Sequence, residues 1–173
     1  MPTFPVPQWT GADYHISPRA FGSSRSKGKR LHAGCDLYAA LGSPVRAIAP
    51  GRVVKAGMFY CETFAVEVDH GTLGIVRYGE VSPKLAKGIV AGALVEEGQT
   101  IGYIGHLVGL HCHPMLHFEL YSGKGSGPLT VYKGSKYQRR DDLMDPTPML
   151  DRMVASMATV ANEAYLMNHT RDL

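Results

Sequence analysis

The chain has 173 residues, of which 45% are hydrophobic and 19% are charged, as is ordinary for a globular domain with its own core. The net charge of +3 is mildly basic. The basic residues are not interleaved with aromatic residues as in a nucleic-acid platform, so no nucleic acid is expected as a partner. Three cysteines without a Cys-x-x-Cys pair argue against a disulfide scaffold.

The first 20 residues are predicted to form an irregular N-terminal arm, because they contain several prolines. They lack the basic start and the apolar run of a signal peptide, and the chain has no apolar stretch long enough for a membrane span. We therefore expect no signal peptide and no membrane partner.

Residues 21–145 are predicted to form a β domain, because Val, Ile, Gly and turn signals recur over residues 31–120. The predicted strands are 37–38, 44–47, 51–56, 64–69, 73–78, 100–104 and 115–121. Asp69-His70-Gly71 is predicted to be a hairpin turn, which makes His70 a turn residue rather than a metal ligand. The pattern predicts a mainly β fold.

Residues 146–168 are predicted to form a C-terminal helix, with Asp145 or Thr147 as its cap. Apolar residues recur there at helical spacing and are expected to pack on the domain. They are Met149, Leu150, Met153, Val154, Met157, Val160, Ala161 and Ala164.

A candidate metal site is formed by His32 and Asp36, which flank Gly34, together with the distant His117. Two imidazoles and a carboxylate are the ligand set of a catalytic zinc ion, with the fourth position left for water. Residues at even separation share a face of a strand, so His32 and Asp36 should point the same way. Gly34 is expected to remove a side chain that would crowd the ion.

Several stretches of the chain, in this order, resemble the lysostaphin-type (LytM-like) zinc metallopeptidases, which cleave peptidoglycan. They are 21–25, 30–37, 42–54, 66–71, 95–102 and 116–120. The resemblance implies an antiparallel sheet of the lysostaphin-type peptidase fold. It also implies that His32, Asp36 and His117 bind zinc as the cofactor.

The resemblance also locates two catalytic positions, and neither carries the histidine that is usual in the family. Met115 and Glu80 stand there instead. A carboxylate close to zinc can take a proton from water, so Glu80 is the predicted catalytic base. His113 and His111 are further catalytic candidates, since His113 lies at an even separation from His117. The alternative is that Glu80 pairs with Arg77 and that both histidines are loop residues.

Two more residues are candidates for substrate binding. Arg25 would place an anionic substrate or brace its loop, and Tyr78 would offer a hydroxyl at the edge of the cleft or pack in the core. Cys112, between His111 and His113, is a minor alternative ligand cluster.

The predicted function is a zinc-dependent endopeptidase that cleaves peptide crosslinks in bacterial peptidoglycan. The alternative is a catalytically inactive, zinc-containing module that binds peptidoglycan or is structural. Without a signal peptide, the protein is expected to be made in the cytoplasm and to reach the cell wall or periplasm as a bacterial effector or endolysin. The expected partners are a secretion apparatus, a phage component or an immunity protein.

Overall fold

The computed structural model describes the backbone of residues 2–169 and the side chains of residues 2–160. It has eleven strands, one α-helix and two short 3-10 helices in the described part of the chain. The strands are β1 (Ser24–Arg25), β2 (Arg30–Leu31), β3 (Cys35–Tyr38), β4 (Pro44–Arg46), β5 (Gly51–Met58), β6 (Phe64–Asp69), β7 (Ile75–Val81), β8 (Leu94–Val95), β9 (Thr100–Tyr103), β10 (Met115–Tyr121) and β11 (Leu143–Met144), and the helix is α1 (Thr147–His169).

Seven of the strands form one antiparallel sheet, which confirms the predicted mainly β class. Its order is β11-β10-β7-β6-β5-β8, and β3 also pairs with β10. The bounds of β6 and β10 are those predicted, while the short strands β1, β2, β8 and β11 were not predicted. A two-residue strand carries too little alternation for its pattern to be visible in a sequence.

The pair β3–β10, near one edge of the sheet, brings two of the predicted metal ligands opposite each other. In the register of this pair, His117 faces Asp36, and on the other edge of β10 the same residue faces Gly79 of β7. All seven residues of β10 are buried. This ligand strand is therefore paired on both edges, and packing on both faces holds its side chains.

The N-terminal arm is irregular in structure, and it packs on the domain. Phe4, Val6 and Tyr14 are buried in the main core. The backbone of the arm also bonds to the sheet: Thr10 N donates to Tyr38 O at 3.0 Å, and Asp36 N donates to Arg19 O at 3.0 Å.

Among the described side chains of helix α1, those of its first turns pack on the core. Thr147 N donates to Asp145 Oδ1 at 2.9 Å, which supports the predicted cap. The buried apolar residues are Met149, Leu150 and Met153, with Val154 packed against them. Met157 and Val160 are 44% and 62% exposed, so the prediction that they pack on the domain was wrong. Ala161 and Ala164 lie outside the described side chains. None of the helices described is long and apolar enough to cross a membrane.

The backbone of β10 leaves no space for a side chain at position 34, which accounts for the glycine there. A Cβ atom added at Gly34 would lie 2.3 Å from the carbonyl oxygen of Phe118. The prediction that the glycine leaves room for the ion stays a prediction. What the glycine allows is the close approach of the loop before β3 to the ligand strand.

We expect Gly34→Ala to lower the free energy of unfolding by about 1–3 kcal/mol, since a methyl group there must push the loop before β3 away from β10. Denaturant unfolding measures this change. Gly57→Ala is the matched control, because a Cβ atom at Gly57 has no neighbour within 4 Å. Equal losses in the two variants would contradict this account of Gly34.

Candidate metal centre

Three side chains converge at one end of the β3–β10 pair. His32 Nε2 and His117 Nδ1 each lie 3.0 Å from Asp36 Oδ1, and the two nitrogens lie 3.1 Å apart. Ligand atoms at about 2.0–2.1 Å from a tetrahedral zinc ion are roughly 3.3 Å apart, so this triangle is close to the size that zinc requires. All three residues are buried.

The other nitrogen of each imidazole is held by a hydrogen bond that leaves the converging nitrogen free to bind a cation. His32 Nδ1 donates to the carbonyl oxygen of Ala20 at 2.9 Å. His117 Nε2 donates to Glu119 Oε1 at 2.9 Å. Such partners behind a histidine fix its tautomer and ring orientation, as they do in protein metal sites. The donor set therefore fits a zinc ion.

The electrostatics of the two histidines differ. Burial lowers the pKa of His32, which keeps this imidazole neutral. Burial also acts to lower the pKa of His117, but its hydrogen bonds to Asp36 and Glu119 and the negative charges of both raise it to about 9. Because a ligating imidazole must be neutral, His117 has to release a proton when a cation binds.

The three residues form part of the wall of a cavity of about 560 Å³. Glu80, Met115, Arg25 and Tyr60 also line this cavity. Of the arm, only Pro18 reaches the wall, and no described side chain of α1 does. Apart from Pro18, the described side chains of the arm and the helix leave the cavity uncovered.

Comparison with known proteins decides the family. The model of peptidase family M23 matches residues 30–128, more than half of the chain, and this range contains His32, Asp36 and His117. The chain belongs to peptidase family M23.

The M23 domain is similar to two curated bacterial endopeptidases. It is 33% identical over 103 residues to the peptidoglycan DD-endopeptidase ShyC of Vibrio cholerae, which covers 59% of this chain and 23% of the relative. It is 29% identical over 131 residues to the L-Ala–D-Glu endopeptidase of Bacillus subtilis, covering 70% of this chain and 38% of the relative. The chain spans less than two fifths of the length of the curated relatives it matches.

A solved structure supports the lysostaphin-like fold of the M23 domain. The catalytic domain of lysostaphin from Staphylococcus simulans is 25% identical, with a TM-score of 0.56, and the match covers 76% of this chain and 88% of that one. The predicted fold and the resemblance to this family are thereby confirmed.

Glu80 reaches the cavity because β7 contains a β-bulge. Phe64 pairs with Val81 and Val66 pairs with Tyr78, so Ala65 alone opposes Gly79 and Glu80. Glu80 has a φ of 63°, which is unusual for a residue other than glycine. A bulge of this kind redirects a side chain, and such bulges are frequent beside active sites.

The carboxylate of Glu80 is poised to accept a proton. Its Oε2 atom is buried and has no hydrogen-bond partner among the described residues. Burial raises the pKa of Glu80 to about 7; the charge of His117 opposes the rise and that of Asp36 adds to it. Arg77, the partner considered in the alternative interpretation, bonds to Glu67 and Glu119 instead.

The structure places the other predicted site residues differently. Tyr78 is fully buried in the core, and its hydroxyl contacts Ile48 N and His70 Nε2. Since it does not reach the cavity, its predicted role in substrate binding was wrong. His111 and His113 are exposed and lie outside the wall of the cavity, and the ring of His113 packs on Tyr38. Their catalytic roles stay predictions without support from the geometry.

The structure also bears on the predictions for Cys112 and His70. Within the described residues, His32, Asp36 and His117 are the one group that could hold a metal ion, so the cluster around Cys112 is not formed. His70 bonds to Pro50 O and Tyr78, away from these ligands, as expected of a residue that is not a ligand.

Sequence reasoning missed the charged network behind His117. Glu119 is fully buried; its carboxylate accepts hydrogen bonds from Arg77 Nη1 at 2.9 Å and Arg139 Nε at 2.7 Å, and from the hydroxyl of Tyr121. Burial acts to raise the pKa of Glu119, but His117 and the two arginines lower it well below its usual range. The even separation of Glu119 from His117 was the available signal, because it places both on one face of β10.

We expect Glu119→Gln to lower the free energy of unfolding by about 3–5 kcal/mol, because it removes the carboxylate that pairs with the buried Arg139 and leaves Arg77 with Glu67 alone. The pKa of Glu119 is lower in the folded state than in the unfolded state. Its contribution to the free energy of unfolding is therefore complete above the unfolded-state pKa of about 4.3, and it is lost as the pH falls below that value. Denaturant unfolding at pH 7 and pH 4 measures both effects. The exposed Glu96→Gln should stay within about 0.5 kcal/mol of wild type. A Glu119→Gln protein of wild-type stability at pH 7 would contradict the prediction.

Proposed function

We propose that this M23 domain is a zinc-dependent endopeptidase that cleaves peptide crosslinks in bacterial peptidoglycan. The observation that carries the proposal is the convergence of His32, Asp36 and His117 on the wall of an open cavity. The curated relatives named as peptidoglycan or L-Ala–D-Glu endopeptidases support the choice of substrate.

His32 Nε2, His117 Nδ1 and an oxygen of Asp36 would hold the zinc ion, which would supply a Lewis acid for a peptide carbonyl and for water. The proton-transfer steps are carried out by a residue of the protein. Glu80 Oε2, buried and without a partner, accepts the proton of the attacking water. The protonated carboxyl then donates this proton to the departing amine.

Arg25 braces the ligand loop in this proposal. Its Nη2 atom donates to Pro18 O at 2.6 Å and to Asp36 Oδ2 at 3.3 Å. The second contact leaves Asp36 Oδ1 to face the two imidazoles. Of the two predicted roles of Arg25, bracing is therefore favoured over placing an anionic substrate.

The test is the release of free amino groups from purified peptidoglycan by protein loaded with one equivalent of zinc. Removing the metal with a chelator should stop the release, and adding zinc back should restore it. Each hydrolysed amide yields one new amine, so the assay reports the reaction directly. No release at any zinc concentration would overturn the proposal.

A module that binds peptidoglycan without cutting it is the second candidate function. The observation that favours it is Met115, which lines the cavity at a position where the family resemblance implies a catalytic histidine. A thioether cannot exchange protons. This function predicts that zinc-loaded protein sediments with peptidoglycan and releases no amine. The delivery route, by a secretion apparatus or a phage, stays a prediction of the sequence.

A further inference from the structure

Three arginines line the cavity, and two of them are committed to residues of the metal centre. Arg25 bonds to Asp36, and Arg139 bonds to Glu119. Arg30 is the exception. Among the described residues, no carboxylate lies within ion-pair distance of its guanidinium, and no hydrogen bond to it is formed.

The fold holds Arg30 beside charges of its own sign. In the β1–β2 hairpin it pairs directly with Arg25. Arg30 is half-buried and lines the cavity. Two neighbouring guanidinium groups repel each other, and an anion that pairs with one of them relieves this repulsion. A ligand in the cavity can supply that anion.

The cavity has no spare acidic group for Arg30 to use. The carboxylates on its wall belong to Asp36 and Glu80. Asp36 faces the candidate metal site. Glu80, whose pKa is raised by burial, is the proposed proton acceptor. Tyr60 and Tyr132, which are 51% and 80% exposed, also line the cavity and offer apolar surface to a peptide. The wall therefore combines a cation site, aromatic surface and one guanidinium without a partner.

We propose that Arg30 binds a free carboxylate of the substrate peptide, next to the bond that is cut. A guanidinium matches a carboxylate with two parallel hydrogen bonds, which a lysine cannot reproduce. The inference rests on the proposed function and narrows its substrate. The preferred crosslink contains an amino acid with a free carboxylate, as diaminopimelate has, rather than an uncharged glycine bridge.

The experiment uses two crosslinked peptides that differ at one group, a free carboxylate in one and its primary carboxamide in the other. The zinc-loaded wild type should cleave the acid with a KM about tenfold or more below that for the amide. In Arg30→Gln the ratio of the two KM values should fall to about one, and Arg30→Lys should restore it only in part. Arg52→Gln removes an exposed charge away from the cavity and should keep the wild-type ratio.

Binding of the same peptides is measured in parallel by calorimetry, so that this inference and the proposed function can fail separately. Cleavage with equal KM values for acid and amide would overturn the role of Arg30 and leave the endopeptidase intact. If neither peptide is cleaved, tighter binding of the acid that Arg30→Gln abolishes would still support the carboxylate site. Equal binding of the two peptides would overturn it.

Discussion

His32→Ala is expected to abolish both stoichiometric zinc binding and the hydrolysis of peptidoglycan. The substitution removes one of three converging donors, and the remaining pair, Asp36 and His117, cannot hold zinc against dilution. Substitutions of residues behind a metal ligand already cost roughly 10–100-fold in affinity or activity, and loss of the ligand itself should exceed that range. Metal analysis after gel filtration measures the first effect, and amine release measures the second.

The matched control for this prediction is His106→Ala, which removes an exposed imidazole that does not line the cavity. It should retain about one zinc per chain and wild-type turnover. The unfolding transition of His32→Ala distinguishes loss of metal from loss of fold. A folded His32→Ala protein that still hydrolyses peptidoglycan as fast as wild type would eliminate the proposed centre.

Glu80→Gln is expected to keep zinc and lose about 10²–10⁴-fold in kcat. The amide has nearly the shape of the carboxylate but cannot accept a proton, and this range is typical of the loss of a general base. Zinc content should be unchanged, since Glu80 is not among the three converging ligands. Steady-state kinetics on a soluble crosslinked peptide, with metal analysis of the same sample, test both statements.

The pH dependence of wild-type activity is a second test of the role of Glu80 as a base. A base acts only when it is deprotonated, so activity should fall as the pH is lowered through the pKa of Glu80. That value is raised to about 7 by burial, and a bound cation shifts it towards the ordinary value of about 4.3. The residual activity of Glu80→Gln should lack this acid limb. Full turnover in Glu80→Gln would transfer the role to His113 or His111, which His113→Ala and His111→Ala would then resolve.

The sequence was sufficient to predict the positions of the long strands and the convergence of His32, Asp36 and His117. Strands β6 and β10 carry six and seven residues of pattern, and their bounds were predicted correctly. His32, Asp36 and His117 could be grouped because zinc chemistry restricts the residue types and the family resemblance fixes their order. The four two-residue strands remained invisible because their pairing depends on neighbours that are distant in the chain.

The error at Tyr78 has a specific physical cause. Tyr78 and Glu80 are two residues apart, so regular alternation predicts that both face the same way. The bulge at Gly79 and Glu80 breaks that alternation, which leaves Tyr78 in the core and turns Glu80 towards the cavity. A sequence pattern cannot show one extra residue in a strand. The partners of Glu119 could not be predicted either, because strand pairing and a returning loop bring Arg77 and Arg139 to it from distant parts of the chain.

The N-terminal arm sets the N-terminal boundary at which this M23 domain could be excised. The family match begins at residue 30, but Ala20 O holds the ring of His32, Arg19 O holds the amide of Asp36, and Pro18 O holds Arg25. A fragment trimmed to the matched range would therefore retain every ligand and lose the carbonyls that orient them. Minimal fragments for engineering or screening should begin upstream of Pro18.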